Sequence, residues 1–566
     1  MDFKTLISEV LAKAADRPAE EIYNALEVPK AAMGDYAFPC FKLSKIFRKA
    51  PPAIAEYLAG EIVLPEYLEK IEVVGGYINF FIDKTALNKS VLDKILTEGG
   101  DYIKSKEGEG KTVCIDYSSP NIAKPFHIGH LRSTVIGNSL YRIYGALGYN
   151  MVGINHLGDW GTQFGKLISA YKRWGNKEDV ERIGISELTR LYVLFHTKAE
   201  ENPELNDEAR GYLVKMQNGD EEALSLWKWF VDISMREFQR VYDMLDITFD
   251  SYAGESFYND KMPAVVEEIK SKGILEESDG AQVVNLEKYK MPPCLILRRD
   301  GGTLYPTRDI TAALYRKDTY NFSKCLYVTA VDQKLHFAQW FKVLELMGYD
   351  WAATELVHIP FGLVNLGTEG KLSTRTGHVV LMEDVLKEAV EKTKAIIEEK
   401  NPDLEDKEEI AKEAGIGAVI FDDMFNGRIK NIAFDWNKIL NFEGETGPYV
   451  QYTHARACSL LRKAEITGVP SEIDYSLISD ESSQALIKAM GDLPQKIKDA
   501  AEKYEPYIIS RQLIEICQSF NRFYRDNSVL GSEGETKKAR LALVYAAKTA
   551  IKEGLYLLGI KAPERM

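Results

Sequence analysis

Cysteine is scarce: the 566 residues include six, at 40, 114, 294, 325, 458 and 517, and none forms a Cys-x-x-Cys pair. That spacing excludes a disulfide framework and a zinc ribbon and fits a reducing cytoplasm. Long apolar runs are missing too, none approaching the ~20 residues a membrane span needs. The opening Met1-Asp2-Phe3-Lys4 enters an amphipathic pattern directly, so neither a membrane segment nor a secretory leader is predicted. Internal repeats are absent, and 45% hydrophobic, 11% aromatic and 28% charged residues exclude disorder and collagen. The familiar glycine-rich phosphate loops are absent as well. Gly370-Lys371 is followed by Leu372, Asn365 stands where the first loop glycine would be, and no Gly-x-Gly-x-x-Gly follows a strand. A bound nucleotide must be held another way.

Excess positive charge is also lacking: the net charge is −14, which discourages a nucleic-acid reading. The deficit is uneven. Residues 451–566 carry 17 Lys+Arg against 15 Asp+Glu, and the rest carry 54 against 70. The C-terminal segment is therefore the less acidic part, although a charged helical surface would look the same.

At ~150 residues per domain the length predicts three or four domains. Phe3, Leu6, Ile7, Val10, Leu11 and Ala14 follow the spacing of one buried helix face. Residues 71–81 read as strands around a glycine turn, giving a small α+β domain over 1–108, with the charged, Gly-rich stretch 104–111 as linker. Strand and helix patterns then alternate at 112–117, 131–147, 149–155 and 163–174, and resume at 324–330, 335–347 and 357–366. This alternation predicts an α/β fold with a doubly wound, Rossmann-like parallel sheet over 109–380. A charged, mostly helical insertion at about 178–290 interrupts it. Helices dominate afterwards, as a connector over 381–445 and a helical domain over 446–566. In that last domain Leu513, Ile514, Cys517, Phe520 and Tyr524 form an apolar stripe that reads as core.

Two local patterns carry chemistry. Asp116-Tyr-Ser-Ser-Pro-Asn-Ile-Ala-Lys-Pro-Phe-His127-Ile-Gly-His130 leaves a strand and opens a helix, at the sheet edge where such folds bind ligands. A helix N-terminus favours anions, and imidazoles three residues apart can donate to a phosphate, with Gly129 allowing close approach of a flat base. The same histidines could instead chelate a metal or merely cap the helix; no third ligand cluster with metal spacing accompanies them. The second pattern, Gly370-Lys371-Leu-Ser373-Thr374-Arg375-Thr-Gly377, is a polar loop whose cations could neutralise a leaving pyrophosphate. Alone it would pass for an ordinary solvated loop.

Together the two resemble the His-Ile-Gly-His and Lys-Met-Ser-Lys-Ser signatures of class I aminoacyl-tRNA synthetases. The flanks Ser118-Ser-Pro-Asn-Ile-Ala-Lys-Pro-Phe-His127, Gly302-Thr-Leu-Tyr-Pro-Thr-Arg-Asp309, Gly447-Pro-Tyr-Val-Gln-Tyr-Thr-His-Ala-Arg456 and Ala562-Pro-Glu-Arg-Met566 resemble the arginyl family over nearly the whole chain. The second lysine of the loop signature is Thr374 here; the arginyl family commonly lacks it, and Lys124, before the histidines, occupies the position thought to substitute.

The resemblance implies activation of L-arginine by ATP with Mg²⁺, transfer to tRNA(Arg) at a ribose 2′-OH, dependence of activation on tRNA, and a monomer without a tightly bound protein metal. It implies catalytic roles for His127, His130, Lys371 and Lys124, and ATP contacts from His127, Gly129, His130, Lys371, Ser373 and Arg375. Arginine contacts would fall on Asp116, Tyr117, Ser118, Asn121, His127, Tyr305, Asp309 and Gln333, with Asp309 facing the guanidinium fork. Without the resemblance, Asp309 beside Arg308 would read as a surface ion pair. It implies tRNA contacts from the N-terminal domain at the elbow, and from Tyr449, Tyr452 and Arg456 in an anticodon-binding module. Tyr449, Tyr452, Phe520 and Tyr524 could stack on unpaired bases or pack within the bundle. A charged, fork-shaped substrate can be selected by pairing alone, so an editing domain is not expected. Three other readings are a non-tRNA nucleotidyltransferase, whose chains are usually shorter, a silent synthetase-like RNA-binding protein, expected to have lost the histidines or Lys371, and another class I specificity.

Overall fold

The computed structural model describes residues 3–30, 33–299, 301–366 and 380–566. The chain forms two compact units, one of Met1–Tyr102, Arg456–Pro494 and Glu515–Ile551, the other of Ile103–Ala455, Gln495–Ile514 and Lys552–Met566.

In the first unit the opening helix, Phe3–Ala15, buries Phe3, Ile7, Leu11 and Ala15, as its spacing predicts. It packs over an antiparallel sheet in the order Tyr36–Pro39, Tyr77–Ile82, Leu68–Val74. The strand Tyr36–Pro39 has four residues, too few to show an alternation in the sequence. In the helical part of this unit, Asn88 Nδ2 donates to the carbonyls of Tyr475 (3.0 Å) and Ile478 (3.1 Å).

The second unit is built on a four-stranded parallel sheet in the order Leu356–Phe361, Lys324–Ala330, Thr112–Asp116, Asn150–Ile154. Every central strand is apolar on both faces, as a sheet covered by helices requires. The helices Leu131–Ala146, Thr162–Trp174 and Lys334–Leu346 follow strands of this sheet and Tyr305–Tyr320 leads into one, giving the crossovers that parallel pairing needs. The doubly wound α/β class expected from the alternation is the fold observed.

One local expectation differs. Residues 357–366 are not one strand. The pairing breaks after Phe361, and Val364–Leu366 joins Ile432–Phe434 in a separate parallel pair. Gly362 is where the chain changes sheets: a Cβ there would lie 2.6 Å from the Ile429 carbonyl. The insertion is helical through Glu221–Leu245 and again at Met262–Ser271. It then closes with an antiparallel sheet of Leu275–Ser278, Ala281–Val284 and Cys294–Leu297. The stretch 104–111 is not free: Ser105 N–H donates to Ala146 O and Gly108 N–H to Leu147 O, both at 2.9 Å.

One buried cation ties this unit together. Arg132, in the first turn of Leu131–Ala146, is 1% exposed at its side chain. Its Nε donates to Asp423 Oδ1 (3.2 Å), and its Nη1 to the carbonyls of Gly362 (3.0 Å) and Lys430 (2.6 Å). Arg132→Ala strands a buried carboxylate and two carbonyls, so it should cost about 3–5 kcal/mol of stability. Denaturant unfolding of the full chain measures this; a loss under about 1 kcal/mol, the worth of a surface pair, would contradict the assignment.

Candidate active site

The turn from 117 to 130 leaves the carboxyl end of the central strand Thr112–Asp116 and enters the helix Leu131–Ala146. Ser118, Ser119 and Ala123 adopt left-handed backbone, with φ of +69°, +45° and +59°. Non-glycine residues hold such conformations only where neighbours over-determine them. Here Ser118 N–H donates to Ser133 Oγ (2.9 Å) and Ala123 N–H to Ser234 Oγ (3.0 Å). A buried hydroxyl chain adds to this. Asn155 Nδ2 donates to Tyr242 Oη (3.0 Å), which lies 2.8 Å from Ser118 Oγ; Ser118 Oγ is 2.9 Å from Thr134 Oγ1, which donates to the His130 carbonyl (2.7 Å).

The two histidines sit at the end of that turn with ring centroids 4.0 Å apart. Gly129 N–H donates to His127 Nδ1 (3.0 Å) and His127 N–H to His130 Nδ1 (3.2 Å), forming a capping box. Burial lowers the pKa of both; for His130 burial, then the neighbouring His127, push it down to about 4. Both imidazoles are therefore neutral near pH 7. With Nδ1 accepting the Gly129 N–H, the His127 proton sits on Nε2, a donor at a helix N-terminus; His130 Nδ1 lies 3.2 Å from both the N–H and the carbonyl of His127. Gly129 serves His127 itself, since a Cβ there would lie 2.7 Å from the imidazole. Immediately beyond, Ile128 N–H donates to Val380 O (3.1 Å) and Met382 N–H to Phe126 O (2.9 Å). Lys124 is exposed on the same turn. Lys371, Ser373 and Arg375 lie outside the described residues.

Acidic groups gather on the other side of the sheet edge. Asp309, on the helix Tyr305–Tyr320, accepts from His336 Nε2 at 2.5 Å. Glu255 pairs with Arg308 (3.3 Å) and lies within electrostatic reach of Asp159 and Asp309. Burial outweighs the pull of Arg308 and raises the Glu255 carboxyl to about 7. Asp159 is also raised by burial, against hydrogen bonds from Ser256 Oγ (2.6 Å) and Ser256 N–H (2.8 Å).

The residues expected at an arginine site divide into two sets. Tyr305, Asn121 and Gln333 are exposed and Asp309 half-buried, so their side chains are accessible. Asp116 is committed elsewhere: its Oδ2 holds Arg316 (2.8 Å), which is 1% exposed, and its Oδ1 accepts from Ser119 Oγ (2.8 Å). The Tyr117 ring is buried against Phe249 and under Gly137, and Ser118 Oγ is spent in the hydroxyl chain. These three shape the turn from behind. Among the expected tRNA residues, Tyr452 is exposed and Tyr449 half-buried, and Arg456 donates to Asn521 Oδ1 and faces the Tyr524 ring. Phe520 is fully buried, which leaves it packing and not stacking on a base. Sequence reasoning missed Glu255, His336, Arg316 and Tyr242. Only the histidine carried a residue-type signal, and none lay in a recognisable spacing.

Three family models match the chain: "tRNA synthetases class I (R), catalytic domain" over residues 91–436, "DALR anticodon binding domain" over 450–566, and "Arginyl tRNA synthetase N terminal domain" over 1–82. The arginine–tRNA ligases of Alkaliphilus metalliredigens and Clostridioides difficile are each 55% identical, over 100% of both chains. The solved arginyl-tRNA synthetase of Thermus thermophilus superposes with a TM-score of 0.82 at 26% identity, covering 99% of each chain. That of Plasmodium falciparum gives 0.80 at 24% identity over 100% of this chain and 99% of that one, a likeness of fold.

The Glu255 carboxyl is anionic above about pH 7 and neutral below it. Affinity for a guanidinium ligand should therefore fall as pH drops through about 7, and Glu255→Gln should flatten that limb. Calorimetric titration of arginine between about pH 6 and 8 checks this, a bound cation favouring the anionic wall; the same slope in Glu255→Gln would assign it to another group.

Proposed function

The chain belongs to the class I arginyl-tRNA synthetases, and from that premise we propose how its own residues carry the reaction. It activates arginine with ATP and transfers the arginyl group to tRNA. In the first step the arginine carboxylate attacks the α-phosphorus and pyrophosphate leaves, with no covalent enzyme intermediate. Catalysis is then positioning and stabilisation of developing charge. The observation that carries the assignment is the pair of imidazole donors on His127 and His130, ring centroids 4.0 Å apart at a helix N-terminus. These donors take the phosphate oxygens, with Gly129 beside them.

Lys371 holds the β- and γ-phosphates, with Lys124, Ser373 and Arg375 assisting. Tethers on both sides of the intervening segment support this: Val364–Leu366 pairs with Ile432–Phe434, and 380–382 hydrogen-bonds to the histidine turn. Mg²⁺ enters with ATP; among the described residues no group of three or more His, Cys, Asp or Glu could hold a metal ion.

Asp309 and Glu255 receive the guanidinium, with Tyr305 and Gln333 beside them. Asn121 and the backbone of 116–118 serve the α-amino end. Asp116 acts by holding Arg316 and so keeps a competing cation out of the arginine pocket. In the second step the 2′-OH of the tRNA terminus takes the arginyl group. We assign 109–380 to catalysis, 381–445 to the connector, and 1–108 and 446–566 to tRNA(Arg), with Tyr449, Tyr452 and Arg456 on the anticodon side. The enzyme works as a monomer in the cytoplasm and needs tRNA to activate arginine; six buried, unbridged cysteines suit that compartment. No described helix is long and apolar enough to cross a membrane.

Pyrophosphate exchange in the presence of tRNA tests the two halves separately. Asp309→Ala should raise the arginine KM at least about tenfold with little change in the ATP KM, as loss of a charged hydrogen bond requires. His130→Ala should lower kcat about a hundredfold or more with a smaller effect on either KM. Equal rises in both KM values for Asp309→Ala would refute the pocket assignment.

A further inference from the structure

We propose that His336 is a positioning residue for arginine selection: its Nε2–H fixes the Asp309 carboxylate so that the incoming guanidinium meets acceptors already oriented. This rests on the reading of Asp309 as the guanidinium acceptor. A carboxylate oxygen can only accept, so the 2.5 Å contact places the proton on His336 Nε2. The contact joins two elements far apart in the chain, the second turn of Tyr305–Tyr320 and the first turn of Lys334–Leu346. It is half-buried, 24% exposed at His336 and 26% at Asp309, so one side faces the site and the other faces protein.

His336 is itself supported. The adjacent Phe337 is 7% exposed and stacks on His358, with centroids 4.4 Å apart and planes at 10°, and His358 Nε2 pairs with Thr329 Oγ1 at 2.9 Å. Thr329 is the penultimate residue of the strand Lys324–Ala330, so the His358 imidazole is referenced to the sheet edge, and the His336 ring meets Phe337 edge to face at 5.5 Å. Gln333, one turn before His336 on the same segment, is exposed beside it.

The chemistry suits arginine. A carboxylate offers about four lone-pair sites, and one donor on Oδ2 still leaves a site on each oxygen. A guanidinium fork needs both oxygens in one plane and at one spacing, whereas an ammonium is a point charge satisfied by either. Locking the carboxylate therefore favours a fork over a lysine or ornithine ammonium beyond what negative charge alone achieves. Asp309 supplies the charge and His336 supplies the plane.

The test compares His336→Ala, His336→Phe and His336→Gln with Asp309→Ala, reading the KM values for arginine and ATP in tRNA-dependent pyrophosphate exchange. His336→Phe keeps a ring without the donor, and thermal unfolding of each variant shows which are folded. Gln carries an amide Nε2 at a reach similar to that of the imidazole. Both donor-less variants should raise the arginine KM about tenfold or more at constant ATP KM, and His336→Gln should recover most of that loss. A role in folding alone would move the unfolding midpoint without separating the two KM values. An arginine KM within about twofold of the parent in a folded donor-less variant, while Asp309→Ala raises it, overturns the role of His336. The same rise in His336→Gln as in His336→Phe also overturns it. An unchanged arginine KM in Asp309→Ala overturns the pocket reading first, and this proposal with it.

Discussion

The guanidinium of Arg132 sets the geometry of the phosphate side. It stands two residues beyond His130 and binds the carbonyls of Gly362 and Lys430, close to where the strands Val364–Leu366 and Ile432–Phe434 begin. Arg132 thus ties the helix that follows the histidine turn to the two strands at their start. Arginine suits the position because it keeps its proton even when buried, and its donors point in fixed directions. Burial raises the partner Asp423 carboxyl to about 6, against the opposing pull of Arg132. In a dry interior each of these bonds is stronger than it would be in water, and costlier to lose.

An acidic chain has to manage two polyanionic ligands, ATP and tRNA. Its solution at the histidine turn is to use donors and not charges. Burial lowers the pKa of both imidazoles, so they are neutral near pH 7, and the Gly129 N–H holds the His127 tautomer. In the proposed function such donors take phosphate oxygens without drawing in the acidic surroundings. Acidic groups gather instead at Asp309, Glu255 and Asp159, the place proposed for the cationic amino acid. Between these two regions Asp116 and Arg316 neutralise each other at 2.8 Å. The reacting carboxylate and α-phosphate would meet beside that neutral pair, with donors on one side and acceptors on the other.

Much of the sheet was legible because its signals are local. Apolar runs of strand length alternate with helical periodicity, and the turn 117–130 announces itself by the His127-Ile-Gly-His130 spacing. What stayed hidden depends on pairing across long sequence separations. Asp116 reads as a substrate ligand in the sequence, since nothing near it shows that Arg316 occupies its carboxylate. Glu255 and His336 lie in segments without a motif, and their meaning comes only from facing Arg308 and Asp309. Gly129 reads as space for a base, and a Cβ there would also meet the His127 ring. The break at Gly362 was invisible because a strand's apolar pattern does not say which sheet it joins.

The most direct measurement is a crystal structure with a non-hydrolysable arginyl-adenylate analogue. The account predicts the phosphate surrogate within about 3 Å of Nε2 of both His127 and His130, and the guanidinium against Asp309 and Glu255, with the Asp116–Arg316 pair intact. A guanidinium that displaces Arg316 from Asp116, or a phosphate surrogate away from both imidazoles, would contradict it.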